Sequence, residues 1–151
     1  MRIDGACHCG NLSYALDWTP DPVAIPARAC TCSFCVKHGG VWTACPDGRL
    51  DVVVRDPQRL SRYAFGTHTA DFHVCAVCGV VPLATSEIGG RMYAVVNVNT
   101  FHAVDPALLQ RSSSDLDGET EAARLARRAR NWIGSVTVGI AERAAAPINE
   151  G

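Results

Sequence analysis

Residues 30–35 read CTCSFC, residues 7–9 read CHC, and CAVC follows at 75–78. Seven of the eight cysteines therefore fall into tight groups: Cys7 with Cys9; Cys30, Cys32 and Cys35; and Cys75 with Cys78. Thiols so spaced are metal ligands or disulfide partners, and the rest of the sequence weighs between the two. At 48% hydrophobic and 19% charged over 151 residues, the chain has the composition of an ordinary soluble protein and the length for one domain with its own core. Such a chain does not need covalent staples. The opening MRIDGACHCG has no basic segment followed by an apolar run of roughly 7–15 residues, the mark of an export signal. No stretch approaches the roughly 18 apolar residues of a membrane span. The expected compartment is the reducing cytoplasm, where clustered thiols are ligands more often than disulfides. Two sulfurs in Cys-x-Cys also bond each other only with strain.

Zinc prefers four tetrahedral ligands and takes thiolates readily, and cysteines one or two residues apart can turn both sulfurs onto one ion across a tight loop. Seven thiols fit one complete four-thiolate site and one three-thiolate site. Spacing alone leaves open which groups combine. The simplest division joins the two pairs into a closed structural site and leaves the triplet to hold a second metal with an open fourth position, where chemistry can occur. Thiolate-rich sites make zinc the leading metal.

The order GACHCGN, then ACTCSFC followed by Lys37 and Gly39-Gly40, then FHVCAVCG, resembles the glutathione-dependent formaldehyde-activating (GFA) family, which includes centromere protein V. The match runs over about residues 3–105. The resemblance implies a mainly β, zinc-stapled, tent-like fold. It implies Cys7, Cys9, Cys75 and Cys78 on a structural zinc, and Cys30, Cys32 and Cys35 on a second, exchangeable zinc near a glutathione site. It also implies carbon–sulfur lyase activity, joining or separating glutathione and formaldehyde.

Hydrophobic patterning supports the β class independently. Leu12, Tyr14, Leu16 and Trp18 alternate with Ser13, Ala15 and Asp17, the period of a strand with one buried face. Further strands are expected at VWTAC (41–45), LDVVVR (50–55), LSRYAF (60–65), ADFHV (70–74) and MYAVVNV (92–98), with a hairpin turn at IGG (88–90). Short strands at this spacing suggest a sandwich or barrel-like sheet. The zinc-binding β domain is expected over 1–111, with 112–151 forming a polar loop, a C-terminal helix and a tail packed on it.

In that second segment SSSDLDG (112–118) suits a loop. Ala122, Leu125, Ala126, Ala129, Trp132 and Ile133 then share one arc of a helix capped by Thr120 and ended by Gly134. Arg124, Arg127, Arg128 and Arg130 project elsewhere. The expectation is a solvated basic face; the alternative is an anion-binding face for nucleic acid or an acidic ligand such as glutathione. A net charge of −1 argues against a general nucleic-acid binder. SVTVGI (135–140) is expected to add a strand, and AAAPINEG to fray.

Among single residues, Cys45 is expected to be a buried apolar thiol, and His8 a spacer between ligands. His38, His68 and His73 are candidates for a fourth ligand or proton carrier. Asp71 and Glu87 are candidate bases, and Trp18, Trp42 and Trp132 are expected in or beside the core. The chemistry expected of an open three-thiolate zinc site is addition of a thiol to an aldehyde, giving a hemithioacetal, and its reversal. The partners would be a small-molecule thiol and an aldehyde. The alternatives are a non-catalytic zinc-stapled module binding a thiol compound, protein or nucleic acid, and a zinc carrier or redox sensor.

Overall fold

Alternating burial builds the first hairpin. Ile3 and Gly5 of β1 (Arg2–Ala6) and Leu12, Tyr14 and Leu16 of β2 (Leu12–Asp17) turn inward, while their neighbours are more exposed. In the computed structural model, which describes residues 1–141, nine more strands follow. They are β3 (Ile25–Cys30), β4 (Val41–Thr43), β5 (Arg49–Val54), β6 (Leu60–Tyr63), β7 (Asp71–Cys75), β8 (Leu83–Ile88), β9 (Arg91–Asn97), β10 (Leu109–Ser114) and β11 (Ser135–Ile140). Two α-helices interrupt them, α1 (Ser33–His38) and α2 (Glu121–Asn131). The AAAPINEG stretch lies outside the described residues.

The strands form two sheets. One has the order β1-β2-β5-β11 and the other β10-β3-β4-β9-β8-β7-β6. Neighbours are antiparallel except at the additions of β11 to β5 and of β10 to β3, which are parallel. Between the sheets lies a core that includes Ile3, Leu12, Leu16, Leu50, Leu83 and Val96, all essentially inaccessible to water. The fold is thus mainly β with a C-terminal helix.

The seven-stranded sheet has two different faces. Ile25 of β3, Cys75 of β7, Leu83 of β8, and Ala94 and Val96 of β9 point into the core. Their neighbours Arg28 and Cys30, Phe72, Ala84 and Val95 line a cleft on the opposite side. Phe72, Ala84 and Val95 are paired in register across β7, β8 and β9 and form one continuous row of its floor.

The strands expected from patterning are present, with altered ends. IGG is a hairpin turn in which Gly89 and Gly90 both have positive φ, joining Ile88 to Arg91. VWTAC is a strand only over Val41–Thr43, and Cys45 is a buried thiol beyond it, donating to the Thr19 carbonyl at 3.3 Å. SSSDLDG is not all loop: Ser112–Ser114 end β10, pairing with Arg28–Cys30 through backbone while their side chains stay largely exposed. An edge strand held by backbone alone leaves no apolar alternation to read.

The basic helix requires a larger correction. Thr120 caps α2 as expected, accepting from the Ala123 amide, but the helix ends at Asn131 because Ile133 is drawn into a bridge with Ala94 of β9. Ala122, Ala126 and Ala129 are exposed, whereas Arg124 and Arg127 are half-buried and Arg128 is buried. Arg130 is solvated as expected, and Leu125, Trp132 and Ile133 are at least half-buried, but the other three arginines face inward in place of the alanines. The helix borders a cleft of mixed polarity rather than the core, and three alanine methyls gain less from burial than arginine stems with polar partners at their tips.

Truncating Leu16, fully buried between the sheets, is expected to cost about 2–5 kcal/mol in urea unfolding as Leu16→Ala. Val138→Ala on the exposed strand β11 should change stability by less than about 0.5 kcal/mol.

Candidate metal centre and cleft

Two tight loops build the first thiol cluster. In one, the Cys7 amide donates to the Leu12 carbonyl and the Leu12 amide reaches the Cys7 sulfur at 3.3 Å. In the other, the Cys75 amide donates to the Val80 carbonyl and the Gly79 amide returns to the Cys75 carbonyl. Gly10 and Gly79, each directly after the second cysteine of its pair, have φ of 79° and 78°, a left-handed turn that strains any side chain. The turns bring the four sulfurs within 4.8 Å of one another. Cys7 to Cys9 is 3.8 Å and Cys9 to Cys75 is 3.5 Å. Two thiolates on one tetrahedral zinc, each at about 2.3 Å, would sit about 3.8 Å apart, so these separations fit such an ion. Burial pushes the Cys7 thiol up to about 12. Partial burial also opposes ionisation of Cys78, yet the Cys9 and Val80 backbone groups and neighbouring thiols hold it down to about 6.

The second cluster sits where β3 runs into α1. Cys30 ends the strand, Cys32 is the helix N-cap, and Cys35 lies in the helix with its amide 3.4 Å from the Cys32 sulfur. The helix was not expected, because six residues carry too little periodicity to announce one. The three sulfurs again lie within 4.8 Å of one another. The Cys35 thiol donates to Cys30 and, with help from the Arg127 charge and against burial, holds Cys30 down to about 5. Sharing that proton and burial push Cys35 up. Three sulfurs held this close are a donor set suited to a soft cation. Trp42 of β4 donates its indole N–H to the Cys35 sulfur at 3.3 Å.

All three triplet cysteines line the cleft, a cavity of about 820 Å³. Its remaining wall combines apolar surface from Trp42, Phe65, Phe72 and Trp132 with cationic surface from Arg28, Arg124, Arg127 and Arg128. Glu119, just before α2, accepts from Arg127 at 2.9 and 3.1 Å and from Arg124 at 3.3 Å, and these bonds hold its carboxyl below the usual range. Arg128 donates to Thr69 and Ser86 at 2.8 and 3.3 Å and lies over the Trp132 ring at 4.9 Å.

The structure brings together the seven cysteines in the groups expected, but not the proposed proton carriers. No histidine lines the cleft among the described residues. His73 is buried, hydrogen bonded to Thr85 at 2.8 Å, and pushed down to about 4 by burial. His68 is exposed in a turn, and His38 packs on Phe34 with ring centroids 4.4 Å apart. His8 is exposed between Cys7 and Cys9, and neither Asp71 nor Glu87 borders the cleft. Trp18 is in the core, whereas Trp42 and Trp132 are cleft walls. Sequence reasoning missed Arg28, Phe72 and Glu119. Arg28 was accessible to it, being two residues before Cys30 and hence on the same strand face. Glu119 was not, because it pairs across a helix end at spacings outside the usual three or four.

No helix among the described residues is long and apolar enough to cross a membrane. The chain is similar to a protein of Rhodobacter sphaeroides solved by crystallography in a structural genomics programme. The two are 29% identical with a TM-score of 0.50, over 69% of this chain and 92% of that one. The family model described as glutathione-dependent formaldehyde-activating enzyme matches residues 2–113, which include both thiol clusters. The chain belongs to the GFA family.

Proposed function

We propose that the cleft is the active site of a zinc-dependent carbon–sulfur lyase-type enzyme acting on a thiol of the glutathione kind and an aldehyde of the formaldehyde kind. In this reading Cys30, Cys32 and Cys35 hold an exchangeable zinc, while Cys7, Cys9, Cys75 and Cys78 hold a structural one. The observation that carries it is the unequal setting of the clusters: Cys30, Cys32 and Cys35 line a cavity of about 820 Å³, Cys35 from a buried position, whereas none of the other four cysteines lines it and Cys7 and Cys75 are packed in the core.

Zinc in the three-thiolate site would supply a Lewis acid that favours the ionised form of a substrate thiol or polarises a carbonyl oxygen. The chain's own residues would do the rest. Trp42 orients Cys35 and reduces the negative charge on its sulfur. Arg127, close enough to favour the Cys30 thiolate, also favours an anion entering beside it. Phe72 and Trp42 wall the cleft with apolar surface, which limits water around the reacting sulfur. In the forward direction the thiol loses its proton to water, its sulfur attacks the aldehyde carbon, and the carbonyl electron pair moves to oxygen. That oxygen takes up a proton from water, giving the hemithioacetal; the reverse steps break the carbon–sulfur bond.

The division is tested by substitution. A structural thiolate zinc is worth about 10–16 kcal/mol, as much as or more than the roughly 5–15 kcal/mol of net stability of a typical domain. Cys75→Ser and Cys78→Ser should therefore unfold the protein by circular dichroism. Cys32→Ser and Cys35→Ser should stay folded, retain one zinc in place of two by elemental analysis, and lose at least about a hundredfold in hemithioacetal turnover measured by exchange NMR with glutathione and formaldehyde. Equal thermal destabilisation by both kinds of change would overturn the division, and unchanged turnover in Cys32→Ser would overturn the enzyme.

Trp42 reports on the same site. Returning zinc to reduced protein from which a mild chelator has removed only the exchangeable ion should change tryptophan fluorescence, and the component lost in Trp42→Phe should carry most of that change. A response undiminished in Trp42→Phe would count against an ion on Cys35.

A further inference from the structure

Arg128 is 9% exposed, yet among the described residues no carboxylate lies within salt-bridge distance of it. Its partners are the hydroxyls of Thr69 and Ser86 and the Trp132 ring, and its Nε has no hydrogen-bond partner. Hydroxyls satisfy donors but do not neutralise a charge, and an unpaired buried cation is costly. The cost is visible in Arg128 itself, which desolvation and the nearby Arg127 and Arg124 charges push down to about 10. Glu119 relieves it only in small part, because that carboxylate is bound by Arg124 and Arg127. Asp115 and Asp117 border the same cleft, but both are exposed, each with one carboxylate oxygen accepting a nearby backbone amide.

We propose that Arg128, with Arg124 and Arg127 beside it, forms a carboxylate-binding subsite in the cleft, so that the molecule bound there is a small organic acid whose carboxylate docks against α2 while its other end reaches the cysteine triplet. The assignment of a thiol to that other end rests on the proposed function; the carboxylate subsite does not. Guanidinium is suited to the task because its planar fork offers paired donors to the two oxygens of a carboxylate. Trp132 holds the guanidinium plane from one side, which keeps the fork oriented before a ligand arrives. The three arginines lie in residues 124–128, beyond the 2–113 matched by the family model.

The test uses S-methylglutathione, which has carboxylates but no free thiol, and its diethyl ester, with zinc-loaded full-length protein in a titration calorimeter. The acid is expected to bind at least about tenfold more tightly than the ester, the scale of one charge-assisted hydrogen bond. Arg128→Gln should weaken the acid by roughly ten- to a hundredfold and leave the ester unchanged, and Arg128→Lys, which keeps charge but not the fork, should recover part of the loss. Should Arg128→Gln fail to fold, Arg124→Gln is expected to weaken the acid selectively by about threefold or more. Equal affinity for acid and ester, no binding of either, or equal loss of both in the variants overturns the subsite. Turnover of 2-mercaptoethanol with formaldehyde by the unmodified protein is measured separately. Its absence would sink the lyase reading while selective binding of S-methylglutathione still upheld the carboxylate subsite.

Discussion

Successive side chains of a strand point to opposite faces of the sheet, and in the seven-stranded sheet this alternation separates two kinds of chemistry. Cys75 at the end of β7 turns into the core, where it meets Cys7 of the first hairpin loop. Cys30 at the end of β3 turns the other way, into the cleft. A one-residue slip in β3 would exchange the faces, placing Arg28 in the core and the buried Ala27 in the cleft. The well-packed interface between the sheets, with Leu16, Leu50, Leu83 and Val96 inaccessible to water, opposes such a slip.

The same separation assigns different physical environments to nearly identical donor sets. In the four-cysteine cluster, two thiols are anchored in the core and two lie on the rim, so the cluster ties the first hairpin to the far side of the larger sheet across more than sixty residues of chain. In the triplet, a strand end and a single helical turn hold the sulfurs against an open cavity, with an indole donor behind Cys35 and a guanidinium near Cys30. Positive charge along the cleft wall favours thiolate over thiol, and it would draw an anionic ligand to the same place. Helix α2 therefore contributes electrostatics to a site whose sulfurs lie about ninety residues earlier.

Much of the fold was legible because it depends on local period. The alternation of Leu12, Tyr14, Leu16 and Trp18, the paired glycines at 89–90 and the cap at Thr120 are signals whose meaning changes little with context. The thiol groups were legible for a related reason, since one- and two-residue spacings restrict what two sulfurs can reach. Strand β10 and helix α1 were not, the first because its stabilisation is a backbone ladder with exposed side chains, the second because it is a single short turn of helix capped by a cysteine.

Sequence by itself determined that thiols come in three groups, that short strands dominate, and that a helix near the C-terminus carries arginines on one side. It did not determine which side of that helix faces the protein. Apolarity placed the alanines inward, but the surface beneath offers the Thr69 and Ser86 hydroxyls and the Trp132 ring, and there guanidinium groups have more to gain than methyls. Nor could it say that no histidine among the described residues lines the cleft, because proximity across strands is set by register and sheet order rather than by distance along the chain. Local spacing restricts what neighbours can do together; only packing decides what distant residues face, because burial depends on the surface they meet.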